Sequence, residues 1–145
     1  MHVEPLAGEH YLHNGSIYRV EAVSQGTDSV YLIEIGTGTS MMTRYSTFRF
    51  GFQRVWKTGE VAKFLNRTPR SLYRYEEMGL IEKAKRYPVV GGRELRFYTK
   101  DDVLEIHEMI SGVHQGRPRK DRRTVNNTLP DKASLLQMFR KRFGV

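Results

Sequence analysis

The stretch KTGEVAKFLNRTPRSLYRYEEMGLIEK, residues 57–83, holds two short helical patterns separated by little more than Asn66 and Arg67. Val61, Ala62, Phe64 and Leu65 form an apolar stripe at helical spacing, and Thr58 followed by Glu60 supplies a start with Thr58 as N-cap. Thr68 caps a second helix, and Pro69 is tolerated at its first position because its missing N–H belongs to the unpaired first turn. That helix runs to about Met78; Gly79 ends it, and Leu80 and Ile81 return to the core. Few arrangements accommodate helix, tight turn and helix in so little chain.

The next two segments narrow them further. Residues 82–99, EKAKRYPVVGGRELRFYT, contain two extended runs around Pro88 and a Gly91-Gly92 turn, which predicts a β-hairpin. KDDVLEIHEMISGVHQ then predicts a third helix, with Asp101 and Asp102 at its positive end and Val103, Ile106, Ile110 and Val113 along one side. Helix, turn, helix, wing, helix is the order of a winged helix-turn-helix.

Upstream, SIYRVEAVS, SVYLIEI, SMMTRY and FRFGFQRV are β-branched and aromatic, and QGTD and GTGT separate the earlier runs as turns. Ile17, Arg19 and Glu21 alternate against Tyr18, Val20 and Val23, as in a half-buried meander. Four or five short strands in this length predict a small antiparallel, barrel-like module. The segment HNGSIYRVEAVS resembles the opening of Tudor-like or KOW-like barrels. The expected class is therefore α+β, with a β-rich module over 1–55, a winged helix-turn-helix over 56–115, and a basic arm over 116–145. The arm ends in ASLLQMFRKRF, an amphipathic helix with Leu135, Leu136, Phe139 and Phe143 on one stripe.

The charge distribution agrees with that division. The 145 residues carry a net charge of +8, but residues 1–55 hold 4 basic and 5 acidic side chains, 56–115 hold 11 and 9, and 116–145 hold 9 and 2. The excess is mostly a tail, and it favours a polyanionic partner. With no cysteine there is no disulfide, thiolate nucleophile or zinc-finger site. The first residues lack a signal-peptide pattern and no apolar run approaches membrane-spanning length, so no membrane partner and a cytoplasmic location are expected.

The block from Trp56 to Gln115 resembles the DNA-binding domain of the MerR family and its excisionase-like relatives. The shared order is a Thr-Gly-Glu-Val-Ala entry, a Tyr-Glu-x-x-Gly-Leu exit, an Arg-x-Tyr strand and an acidic start to the next helix. The resemblance implies double-stranded DNA as partner, with the second helix as the reading helix. Family members usually show Arg-Tyr-Tyr-Glu there, whereas this chain has Tyr73-Arg74-Tyr75-Glu76, which moves the charge by about 100° around the helix. LYRYEEMGLI is closer to the excisionase and phage-regulator branch than to metal or drug sensors. Effector-responsive members also carry a long dimerisation helix and a sensor segment. Here the third helix meets Gly112 and Gly116 and then the basic tail, so a monomer in free solution and no sensor domain are expected.

The residues themselves supply the chemistry. Arg67, Arg70 and Arg74 lie three to four residues apart on one helical face, with Ser71 and Tyr73 alongside and Leu72 and Met78 facing inward. Arginine forks read guanine bidentately, and hydroxyls reach phosphates. Thr58, Thr68 and Tyr75 complete the candidate set on the two helices. On the hairpin, Arg93 and Arg96 near Tyr98 are candidates for phosphate or minor-groove contact. In the tail, Gly116-Arg117-Pro118 resembles an AT-hook core, but Gln115 replaces its first arginine; Arg117, Arg119, Lys120, Arg122 and Arg123 are read as contacts through charge alone.

Five histidines, including His10 with His13 and His107 with His114, invite a metal reading, but the chain has no cysteine and no carboxylate at ligand spacing beside His10 and His13, so no metal and no cofactor are expected. His107 and His114 are instead suited to a helix interface. Neither a nucleophile beside a base nor a Walker-type loop is present, so the chain is not read as an enzyme. The expected role is a sequence-specific DNA-binding protein, either a transcription regulator or an excisionase-like architectural factor, encoded by a phage or mobile element. The alternative is an adaptor that recruits a recombinase, polymerase or packaging protein through the β module or the terminal helix, with DNA or RNA contact secondary.

Overall fold

A computed structural model describes residues 4–111 and 129–145. Strands β1 (His10–His13) and β2 (Ser16–Ser24) form a hairpin around Asn14 and Gly15, both at positive φ, the pairing that a tight two-residue turn requires. β3 (Ser29–Glu34) and β4 (Ser40–Arg44) extend the meander, and β2 carries an irregularity between Val20 and Ala22 where it pairs with β3. β1 also pairs with β5 (Gln53–Lys57), and β5 pairs with β7 (Arg93–Tyr98), which forms a hairpin with β6 (Arg86–Val89). The result is one antiparallel seven-stranded sheet in the order β4-β3-β2-β1-β5-β7-β6.

The separate barrel-like module expected over 1–55 is thus not built from the N-terminal strands alone. The sheet curls far enough that Val90 N donates to Ile35 O at 2.9 Å, while Ile35 N donates to Ile17 O at 3.0 Å, bringing the end of the hairpin back to the end of β3. Inside the curl lie Ile17, Ile35, Val55, Tyr87 and Phe97. The expected division after residue 55 falls inside β5.

FRFGFQRV is not a single strand. Residues Tyr45–Gly51 form helix α1, and only Gln53–Lys57 is extended. Aromatic content favours a strand locally, but Phe48 and Phe52 lie four apart and stack at 5.0 Å between centroids, covering Val20, Val30 and Leu32 on one sheet face. Burial of both rings on that face outweighs the local preference.

Helices α2 (Thr58–Phe64) and α3 (Pro69–Glu77) follow the sequence pattern with one shift: the N-cap of α2 is Lys57, whose N–H donates to Glu60 Oε1 at 3.3 Å. Thr58 is the first helical residue and is buried. Both helices end in the same way. Asn66, at φ 53°, lets Asn66 N donate to Lys63 O and Arg67 N to Ala62 O; Gly79, at φ 76°, lets Gly79 N donate to Glu76 O and Leu80 N to Tyr75 O. Each is a Schellman closure, satisfying carbonyls that the helix leaves unpaired. Met78, expected inward, is 64% exposed because it sits at the C-cap beyond the buried stripe.

Helix α4 (Lys100–Ile110) is capped reciprocally: Asp102 N donates to Thr99 Oγ1, and Thr99 N donates to Asp102 Oδ2. Val103, Ile106 and Ile110 enter the core; Gly112, Val113, His114 and Gly116 lie outside the described residues. Helix α5 (Lys132–Phe143) folds back. Leu135 and Phe139 are buried with Trp56, Val61, Leu65, Leu72 and Ile110, and Phe139 meets Trp56 at 5.1 Å and Phe64 at 5.5 Å. Of the terminal apolar stripe, Leu135 and Phe139 are thus buried within the chain and the half-buried Phe143 packs beside them.

Candidate nucleic-acid interface

On α3, Leu72 and Tyr75 are buried while Arg70, Tyr73 and Arg74 are exposed. Arg70 and Arg74, one helical turn apart, project on the outer side, and neither side chain makes an ion pair or a hydrogen bond among the described residues. Arg67 is placed differently. Its Nη1 lies 3.2 Å from Asn66 O and 3.5 Å from Leu65 O, so the guanidinium folds over the turn between the helices. Thr68 Oγ1 accepts from Ser71 N at 3.1 Å and lies 3.0 Å from Ser71 Oγ, which commits both hydroxyls to starting the helix.

Three candidates lie in the interior instead of on this face. Thr58, Tyr75 and Tyr98 are all buried, and Tyr98 interacts with the Thr58 hydroxyl inside the core. Burial pushes the Tyr98 phenol up from its ordinary range, and the Thr58 contact offsets this only in part.

The hairpin is two-sided, because alternate residues of a strand face opposite ways. Leu95 and Phe97 of β7 pack with the curled-sheet core, whereas Tyr98 enters the helical core. Arg96 shares the helical side. It lies 3.3 Å from Glu76 Oε1 and its guanidinium sits 4.6 Å from the Tyr73 ring. Glu76, itself buried, also accepts from Ala84 N at 3.3 Å. Arg96 therefore fixes the hairpin against α3, and Tyr73 carries that cation on one face. Arg93 is exposed and shares the face of Leu95 and Phe97, on the opposite side from Arg96.

Sequence reasoning missed Glu76 and also Arg54. The buried Arg54 donates from Nη1 to Val55 O at 2.7 Å and His10 O at 3.2 Å. Its Nη2 faces Glu9 at 3.6 Å and Glu60 at 3.8 Å. Its guanidinium also lies within 6 Å of the Tyr11, Trp56 and Phe143 rings, tying the sheet to α2 and α5. An isolated arginine in an apolar strand was the available signal, since a charge there is rarely buried without partners.

His13 and His107 have structural partners. His13 Nδ1 donates to Gly51 O at 2.6 Å and its ring stacks on Phe52 at 4.1 Å. His107 Nε2 donates to Pro130 O at 2.5 Å, which fits the expected helix interface for that residue. Among the described residues no group of three or more potential ligands could hold a metal, and no helix is long and apolar enough to cross a membrane. Arg117, Arg119, Lys120, Arg122 and Arg123 lie outside the described residues.

Residues 57–121 match the family model of the MerR HTH family regulatory proteins. No curated protein and no solved structure matches the chain. The match begins at the N-cap of α2 and takes in α3, the β6–β7 hairpin and α4, so this part of the chain carries a MerR-like helix-turn-helix.

Proposed function

We propose that this chain is a sequence-specific double-stranded DNA-binding protein that enters the major groove with α3 and braces the flanking backbone with the β6–β7 hairpin as a wing. The observation that carries the reading is the pair Arg70 and Arg74, exposed on a helix closed at its end by Gly79 and held to the hairpin by Glu76 and Arg96, within the segment that matches the MerR family. Rigid placement matters because base readout needs arginine forks at fixed distances from guanine edges. Arg67, Ser71 and Thr68 set the approach at the start of α3. Arg93 and the tail cations Arg117, Arg119, Lys120, Arg122 and Arg123 add phosphate contacts.

The role is transcription regulation or excisionase-like DNA architecture, in a phage or mobile element, within a cytoplasm and on its nucleoid. The chain acts as a monomer in free solution, a reading supported by the burial of the α5 stripe against its own core. An adaptor role is the second reading. It is favoured by one observation, the register pair Tyr31 and Met42, both exposed at the β4 edge of the sheet.

Footprinting on fragments of the source genome separates these. A regulator protects a promoter, an excisionase protects an attachment site, and an adaptor protects neither. On a protected site, Arg70→Ala and Arg74→Ala should each cost about 1–3 kcal/mol and relax base preference. Unchanged affinity and preference in both folded variants would remove α3 as the reading helix.

A further inference from the structure

The curled sheet has a basic mouth on the side of the hairpin away from α3. A cavity of about 370 Å³ opens there, with Arg19 of β2, Lys57 of β5 and Arg93 of β7 around it. His10 and Leu95 also line it, and the His10 ring packs on Phe97 at 5.0 Å between centroids. Strand register brings these residues together from distant parts of the chain: His10 stands opposite Arg19 on one side and Val55 on the other, and Lys57 stands opposite Phe97.

The charge balance of the mouth is positive. Arg19 is paired with Glu21 at 2.8 Å, and the acidic member of the lining, Glu34, accepts from the Thr37 hydroxyl at 3.0 Å. Lys57 and Arg93 are exposed, and neither side chain has a carboxylate partner among the described residues. His10 senses the same field. Burial lowers its pKa to about 4, and Lys57, Arg54 and Arg19 add to the fall. A concave site with surplus cations, an apolar floor and hydrogen-bond donors from guanidinium and ammonium groups suits a phosphate, which is multiply accepting and anionic.

We propose that this mouth binds phosphate groups, and that its occupant is the sugar-phosphate backbone of DNA, making the N-terminal sheet a second DNA-contacting surface. The choice of occupant rests on the proposed function, because β7 carries Arg93 toward the mouth and Arg96 toward α3, so one hairpin joins both surfaces. A free phosphorylated small molecule shares the chemistry and is the competing source.

The test uses the full chain and an Arg19→Gln/Lys57→Gln variant, both checked for unfolding midpoint. Binding to a duplex oligonucleotide is measured across salt concentration, and the His10 ring is titrated by NMR with and without duplex. Loss of one to two phosphate contacts should lower the magnitude of the log affinity versus log salt slope by about 0.9–1.8. In the unsubstituted chain, duplex should raise the His10 pKa, because a nearby phosphate favours imidazolium. A folded variant with an unaltered slope, together with a His10 titration unmoved by duplex, overturns the proposal. A His10 response to pyrophosphate without one to duplex overturns DNA as the occupant. Arg70→Ala serves as the separate control: loss of base preference there with an unaltered slope in the Arg19→Gln/Lys57→Gln variant leaves the α3 reading standing and removes this one.

Discussion

Replacing Phe139 by alanine tests whether α5 belongs to the helix-turn-helix core. Phe139 is fully buried, and its ring lies 5.1 Å from Trp56, 5.5 Å from Phe64 and 6.0 Å from Phe143. Truncating a buried phenylalanine removes transfer free energy and leaves a cavity, together about 3–5 kcal/mol. Three aromatic contacts and a buried Leu135 one turn earlier place this site toward the upper part of that range, since little around it can collapse. Against a total stability of about 5–15 kcal/mol, such a loss is a large fraction.

Urea unfolding followed by Trp56, the single tryptophan, reads the change at its source. The midpoint should fall with the slope retained, and the thermal midpoint should drop by about 6–20 °C, at roughly 2–4 °C per kcal/mol for a chain of this size. Leu136→Ala, at a half-buried neighbour on the same helix, should cost clearly less. A Phe139→Ala loss below about 1 kcal/mol, with Trp56 emission unshifted, would mean that α5 does not pack against this core.

Three further outcomes are expected. Arg96→Gln should cost about 2–3 kcal/mol by leaving the buried Glu76 carboxylate with Ala84 N as its hydrogen-bond donor, and the Glu76→Gln/Arg96→Gln pair should cost less than the sum of its singles in a double-mutant cycle. His10 has its folded pKa lowered from 6.5 to about 4, so below pH 6.5 the unfolded chain takes up a proton that the folded chain refuses; stability should fall as pH drops from 6.5 toward 4, and His10→Gln should flatten that part of the denaturation series. Replacing Arg117, Arg119, Lys120, Arg122 and Arg123 by glutamine should reduce the salt slope of DNA binding by about 0.9 per lost phosphate contact while preference among sequences survives, and an unchanged slope would show that these cations do not touch DNA.

Local chemistry made much of the helical half legible. Thr68-Pro69, Gly79 and the Gly91-Gly92 turn stand where the sequence places them, because a cap, a fixed φ or a positive φ is a property of one or two residues. Helix α1 was not legible as a helix, since its aromatic residues favour strands until Phe48 and Phe52 have a sheet face to cover. The destination of α5 was hidden for a similar reason: Leu135 and Phe139 announce an apolar face but not what buries it. The same limit applies to the site. Arg67, Arg70 and Arg74 share a face by spacing, yet the fold of Arg67 onto the Leu65 and Asn66 carbonyls depends on the turn, and the opposite directions of Arg93 and Arg96 depend on hairpin register.

Strand β5 explains why the N-terminal strands and the helices resist being treated as modules on a linker. Alternation along Gln53–Lys57 sends Arg54 and Trp56 to one side and Val55 to the other. Trp56 is central to the helical core, Val55 belongs to the curled-sheet core, and Arg54 binds carbonyls and carboxylates from β1 and α2. A composition change at residue 56 thus marks a change of neighbours and not a break in packing. Because β5 also pairs with β7 along the edge opposite β6, the strand that positions Arg96 against α3 is tied to the N-terminal sheet. Rigidity at α3 is then a property of both cores together, and on the proposed reading the N-terminal sheet also helps to hold the geometry on which DNA contact by that helix depends.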